Sequence, residues 1–283
     1  QQRTQAIEAH AAAFASVTLP GNASPSTCIA FAQKTIANGQ VVSRMNIIEL
    51  GGSLRRQQDL FFPPEYENDF PIGLLITPTH ELVYVITRQG LVFVFDLSSG
   101  TAIARSRFTQ QHVFLCQNAP GDAILCLNRG GGLQKISINE STIVNYVSNT
   151  LNNPEVALQL ARRAGLGGGE EMAKEQFERL LANNQYREAA ELAAESPRGV
   201  LRTMEVVNRL KTIQAQPSPL LQYFGILLNK STLNANESTE LATLVLAQNK
   251  KHLLTKWMDE NKLTMSEALG DLLAKCFFEE LEA

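Results

Sequence analysis

The sequence predicts a β + α multidomain chain, with strands in its first half and short helices in its second. Three observations predict it. Short apolar, β-branched runs alternate with turn residues through Ile138, the apolar spacing then changes to that of a helix, and the strand pattern itself repeats.

The strand half opens with Cys28-Ile29-Ala30-Phe31-Ala32 and Arg44 to Leu50, with a longer hairpin loop expected between them. Phe61-Phe62-Pro63-Pro64-Glu65-Tyr66-Glu67-Asn68-Asp69-Phe70-Pro71 then interrupts the pattern. The two prolines fix φ and carry no N–H, so neither strand nor helix is expected to continue through them. A rigid apolar loop of this kind is expected to anchor one module on the next. Leu82 to Ile86, a turn at Thr87-Arg88-Gln89-Gly90 and Leu91 to Leu97 form a hairpin closed by Ser98-Ser99-Gly100. The pattern recurs as Ala123 to Leu127, Asn128-Arg129-Gly130-Gly131-Gly132 and Leu133 to Ile138. Arg88 and Arg129 stand 41 residues apart, within the period of about 40–45 residues of a four-stranded propeller blade. Residues 1–140 are therefore expected to form a partial β-propeller of about three blades.

Residues 141–283 carry helical signals. Asn153-Pro154-Glu155 places an N-cap, a proline at the first helical position and an acid in the first turn, and Gly165 and Gly167-Gly168-Gly169 stop that helix. Glu170 to Asn183 and Tyr186 to Ala193, joined through Asn183-Asn184, read as a helical hairpin. Ser218 is expected to cap a helix with Pro219 at its start and one apolar face of Leu220, Leu221, Phe224, Leu227 and Leu228. Leu241, Leu244 and Val245, then Leu253, Leu254 and Trp257, continue the scheme. Narrow apolar faces on short helices are covered by stacking pairs, so an α-solenoid of short helical hairpins is expected. The boundary falls near 139–152 with no Gly/Ser linker, which implies a stiff junction.

Composition narrows the function. A net charge of −3 with 44% apolar and 19% charged residues reads as a soluble globular chain and gives no electrostatic footprint for nucleic acid. The pairs Arg55-Arg56, Arg162-Arg163 and Lys250-Lys251 read as solvated faces. No apolar run reaches the roughly 18 residues of a membrane span, and the start lacks a signal-peptide pattern and a Met, so the sequence is expected to begin inside a longer protein. Cys28, Cys116, Cys126 and Cys276 form no C-x-x-C pair, and a reduced chain fits better than a disulfide framework. His10, His80, His112 and His252 lack metal-ligand spacing and stand beside no carboxylate cluster in the sequence. The two triple-glycine runs lack a phosphate-loop pattern, and no G-x-S-x-G is present. No catalytic, cofactor-binding or metal residue is nominated, and no cofactor and no enzyme are expected. What remains is surface, which propellers and solenoids use to bind peptides and proteins.

Several motifs resemble one family in order. These are the Phe61 to Pro71 loop, Asn152-Asn153-Pro154 with Ala157-Leu158, Asn184-Gln185-Tyr186-Arg187-Glu188-Ala189-Ala190, Arg198 to Thr203, Ser218 to Leu228 and Ser266 to Leu272. Together, from about Ile7 to Leu272, the chain resembles the clathrin heavy chain. The resemblance implies the later blades of a seven-bladed terminal propeller, a helical linker and the first part of an α-zigzag leg. The Phe61 to Pro71 loop would join two blades, and Ser218 to Leu228 would be a leg helix. It also implies a non-enzymatic component of coated pits and coated vesicles, serving vesicle-mediated intracellular protein transport and endocytosis at the cytosolic face of the plasma membrane and trans-Golgi network. Expected partners are adaptor-protein peptides and other heavy-chain legs, with light chains in the full-length protein. Contact with membranes would run through adaptors.

Set against the resemblance, this sequence is expected to lack the early blades, distal leg, light-chain segment and trimerisation hub. The last eleven or so residues, from Leu273, no longer follow the family, as expected of a truncated or mis-spliced reading frame. Three blades alone leave sheet faces in water, so 1–140 is expected to be unstable alone while 150–272 stays helical. The alternative to a coat component is a truncated adaptor-binding module that builds no lattice.

Overall fold

The computed structural model describes residues 7, 9–19, 24–37, 40–119 and 122–278. The N-terminal Gln1 to Thr4 and the end of the divergent tail, 279–283, lie outside the described residues, as does the side chain of Cys276. Two compact units divide the chain, Gln1–Leu166 and Gly167–Ala283.

The first unit holds three antiparallel sheets. The first is a meander of β1 (Ala11–Val17), β2 (Ser26–Ala37), β3 (Gln40–Glu49) and β4 (Arg55–Leu60). The second runs β5 (Pro71–Thr77), β6 (Leu82–Thr87), β7 (Leu91–Asp96) and β8 (Ala102–Arg107). The third has β9 (Val113–Ala119), β10 (Ala123–Asn128) and β11 (Leu133–Ile136). β1 packs on β5 and β5 packs on β9, so the first strands of consecutive sheets meet, as blades do around a propeller axis. The described sheets close no ring. This is the expected partial propeller, built of three blades.

One expectation about the first blade is corrected. β2 and β3 pair continuously from Cys28↔Glu49 to Ala37↔Gln40, so the long hairpin loop is in fact two long strands. Extending the ladder pairs backbone N–H and C=O groups that a loop would leave to water. In the sequence, Asn38-Gly39 is the dipeptide most favoured between hairpin strands; these two residues lie outside the described ones.

The core lies between the first two sheets. Met45, Ile47 and Ala30 of the first pack with Val83, Val85, Phe93 and Phe95 of the second. Leu82, Tyr84 and Ile86, on the opposite face of β6, are buried as well. Sheet two is thus covered on both faces, which is why β6 and β7 read as continuous apolar runs without polar alternation.

The proline loop joins β4 to β5 and so bridges the first two blades. It is less uniform than its prolines imply, because Pro64–Tyr66 forms a single 3-10 turn with Pro63 at its N-cap. Proline suits that first turn, where its missing N–H has no partner to lose. Phe62 meets Phe93 edge-on at 5.6 Å, and the Arg107 guanidinium lies 5.1 Å from the Tyr66 ring centre. Buried Asp69 accepts from the backbone N–H groups of Phe70 and Gln89 at 2.9 and 3.0 Å, tying the loop to the β6–β7 turn. In that turn Gly90 has φ +85, and a Cβ on it would stand 2.5 Å from the Thr109 carbonyl oxygen, so only glycine fits.

Three short helical segments complete the first unit: α1 (Ile143–Asn145), a π turn at Tyr146–Thr150 and α2 (Pro154–Ala164). Asn153 caps α2 by accepting from the Val156 N–H at 3.2 Å, and Gly165 ends it with φ +63, both as expected.

The second unit contains α3 (Glu170–Ala182), α4 (Tyr186–Ala194), α5 (Met204–Thr212), α6 (Pro219–Lys230), α7 (Ala235–Ala247), α8 (Lys251–Asp259) and α9 (Glu267–Phe278). α4 packs on α3 and α6, and α7 on α8, α9 and α5, giving stacked helical hairpins. Ser218 occupies the N-cap of α6 but its side chain makes no cap hydrogen bond. The apolar face of α6 is also revised. Leu220, Tyr223, Phe224 and Leu227 are buried, whereas Leu221 is 51% exposed. At 3.6 residues per turn a neighbour sits about 100° around the helix, so i+3 joins the stripe and i+1 leaves it.

Candidate functional site

The first unit presents a groove of about 290 Å³ between its first two blades. Phe93, Phe95 and Ile103 supply apolar lining, Asp59 and Phe61 of the first blade flank it, and Tyr146 and Leu151 line it too. The Phe61 ring is 66% exposed although its backbone carbonyl is held by Arg105 Nη1 at 3.0 Å. Asp59 is paired with Arg44 at 2.6 Å. The groove thus has an apolar lining and a charged rim.

A second feature is the polar anchor of α2. Arg163 donates through Nε to the His80 carbonyl at 2.9 Å and through Nη2 to Asp96, and its Nη1 lies 3.6 Å from Glu81. The Asp96 side chain is fully buried and also accepts from the Ser99 N–H and hydroxyl, shaping the β7–β8 turn. Burial pushes the Glu81 carboxyl above its usual range, and neighbouring Asp96 adds to this while Arg163 opposes it. His80, 3% exposed, stands between Asp122, 3.2 Å from Nδ1, and Glu140, 3.0 Å from Nε2. One expectation is corrected here: Arg163 is packed into the blades rather than lying on a solvated face. His80, with no carboxylate cluster beside it in the sequence, stands in space between two carboxylates. The partners of Arg163 and His80 come from residues far along the chain, 60 positions away for His80–Glu140 and 83 for Arg163–His80, so local sequence context could not disclose them.

The second unit has its own polar node. Asn234 and Glu237 form a capping box at the start of α7, with Asn234 Oδ1 accepting from Glu237 N at 2.9 Å and Glu237 Oε2 accepting from Asn234 N at 2.8 Å. Arg202 and the Tyr223 hydroxyl also donate to the Glu237 carboxylate, which is 1% exposed. Burial alone would raise this carboxyl, but the Arg202, Tyr223 and Asn234 hydrogen bonds outweigh it and hold Glu237 below the usual carboxylate range. Burial, with the same bond to Glu237 adding to it, pushes the Tyr223 hydroxyl upward.

The motifs that carried the resemblance are dispersed. Asn184 turns α3 into α4 with φ +58, Thr203 caps α5, and Ser266 accepts from the Leu269 N–H at the start of α9. They build hairpins and converge on no common site. Among the described residues no group of three or more His, Cys, Asp or Glu side chains could hold a metal, and no helix is long and apolar enough to cross a membrane.

Blades followed by stacked helical hairpins, with polar nodes spent on packing, define a scaffold of the propeller–solenoid class. The family model described as "Clathrin, heavy-chain linker" matches residues 140–163, and "Clathrin-H-link" matches 165–227. Clathrin heavy chain 1 of Oryza sativa subsp. japonica is 47% identical over 96% of this chain, and clathrin heavy chain 1 of Arabidopsis thaliana is 45% identical over 96%. Clathrin heavy chain 2 of Homo sapiens is 42% identical over 95%. The chain spans 17% of the length of each of these relatives. It belongs to the clathrin heavy chain family.

Proposed function

We propose that this chain serves as a structural part of the clathrin coat, acting through protein–protein contacts and performing no catalysis. The observation that carries the reading is the 47% identity to a clathrin heavy chain, which runs through both compact units. In this reading residues 1–140 are the partial terminal propeller and 141–283 the helical linker and start of the leg. The work is vesicle-mediated intracellular transport and endocytosis at the cytosolic face of coated pits and vesicles, at the plasma membrane and trans-Golgi network. Adaptor peptides bind the propeller, and the helical hairpins stack with other heavy-chain legs.

A second reading is favoured by the inter-blade groove, which is complete within the first unit. A chain with that groove can hold adaptor peptides without building a lattice. Binding of the purified chain to purified adaptor complexes, and its incorporation into coats assembled from heavy chains, tests both. Binding with incorporation supports the coat component. Binding without incorporation supports the adaptor-binding module, and the absence of both overturns both readings.

A further inference from the structure

Cys116 on β9 and Cys126 on β10 are direct cross-strand partners, and their sulfurs lie 3.3 Å apart. Directly opposed residues of an antiparallel pair have Cα atoms about 4.5–5.5 Å apart, inside the range of about 4.4–6.8 Å that a disulfide spans. Cys28 offers a contrast: its strand partners are Ala15 and Glu49, so no thiol faces it across the sheet.

The surroundings of the pair are asymmetric. Cys126 is 1% exposed, whereas Cys116 is half-buried, so solutes reach the pair from the Cys116 side. Gly73 of the neighbouring blade makes room for it, because a Cβ there would stand 3.2 Å from the Cys116 Cβ. The two sulfurs share a hydrogen bond that either can donate, so it favours a thiolate on one of them and opposes a thiolate on both. The pair therefore releases one proton more readily than two, and a thiol beside a thiolate is the arrangement from which oxidation to a disulfide starts.

We propose that Cys116 and Cys126 form a site of reversible oxidative modification, closing to an intramolecular cross-strand disulfide when a peroxide is the oxidant. The thiolate sulfur attacks one peroxide oxygen, the O–O bond breaks, and water departs after taking up a proton, leaving a sulfenic acid. The second sulfur then attacks the first, the S–O bond breaks, and a second water leaves with the remaining thiol proton. Two thiols become one disulfide and hydrogen peroxide becomes two waters. The product ties β9 to β10 in the three-stranded blade.

The test treats the folded 283-residue chain with hydrogen peroxide, then counts thiols with a maleimide after denaturation and maps peptides without reductant. The chain should fall from four reactive thiols to two, yield a Cys116–Cys126 linked peptide lighter by two hydrogens, and recover all four with dithiothreitol. Oxidation in guanidinium should instead spread the links over other cysteine pairs. Cys116→Ser and Cys126→Ser should each prevent the intramolecular loss, and the wild-type peptide map stands if either variant fails to fold. Four thiols remaining, Cys116 overoxidised while Cys126 still takes up maleimide, or either residue linked chiefly to another cysteine or another copy would overturn the proposal.

Discussion

The guanidinium of Arg163, near the end of α2, pairs with the Asp96 carboxylate at the β7–β8 turn, where the Asp96 side chain is fully buried. A helix is thereby pinned to the turn of a blade by a charge pair shielded from water. Both partners lie within the compact unit that holds the sheets.

Replacing Arg163 by Met should destabilise the first unit by about 3–5 kcal/mol, because it leaves the buried Asp96 and Glu81 carboxylates without their cation. Urea unfolding followed by circular dichroism reads the loss. Arg163→Lys should recover only part of it, since one ammonium cannot reproduce the guanidinium fork that reaches the His80 carbonyl and Asp96 together. Equal stability of Arg163→Met and wild type would show that the pair contributes nothing net.

Glu237 gives the second unit a pH dependence of defined sign. Its carboxyl is held below the ordinary value of 4.5, so the folded chain binds its proton less readily than the unfolded chain. The stabilisation is therefore fully present above about pH 4.5 and is lost as pH falls through the lower folded-state value. The difference in melting temperature between wild type and Glu237→Gln should be largest near neutral pH and shrink in acid. A gap that stays constant from neutral pH down through the acid transition would refute the assignment.

What the sequence disclosed and what it hid follow from the range of the interactions. The Leu82–Leu97 hairpin, the Asn153 cap, the Gly165 stop and the α3–α4 turn at Asn184 are set by residues within a few positions of each other, and the structure has all of them. The blade-to-helix anchor was hidden because Arg163 meets groups 67 and 83 positions away. Arg162-Arg163 as a dipeptide looks like any exposed basic pair. Leu221 and Tyr223 were exchanged for a different reason: an unbroken Leu-Leu pair suggests one apolar face, while only the packing partner decides which side of the helix is covered. The inter-blade groove was equally hidden, since its lining comes from β4, β7, β8 and the π turn.

Gly90→Ala should destabilise the second blade by about 1–3 kcal/mol. The substitution forces a side chain into left-handed backbone at φ +85 and drives its Cβ against the Thr109 carbonyl. Gly131, also left-handed at φ +81 but with no atom within 4 Å of the place a Cβ would take, is the matched control: Gly131→Ala carries the backbone strain without the clash. A thermal melt in which the two variants lose the same stability would show that the Thr109 contact is relieved at no cost.

Truncation separates the strand boundary from the boundary of the compact unit. A chain ending at residue 140 keeps all three sheets but loses buried Val144, Val147, Val156 and Leu160 together with Arg163. Each large apolar side chain removed from the interior forfeits about 1.5–3 kcal/mol of burial, and the lost cation strands Asp96 and Glu81. Residues 1–166 should therefore resist protease longer and unfold more cooperatively than residues 1–140, while residues 167–283 keep a helical circular dichroism spectrum by themselves. Identical protease resistance of the two N-terminal pieces would mean that the sheets hold together without α1 and α2, and that the anchor serves only to hold the helix.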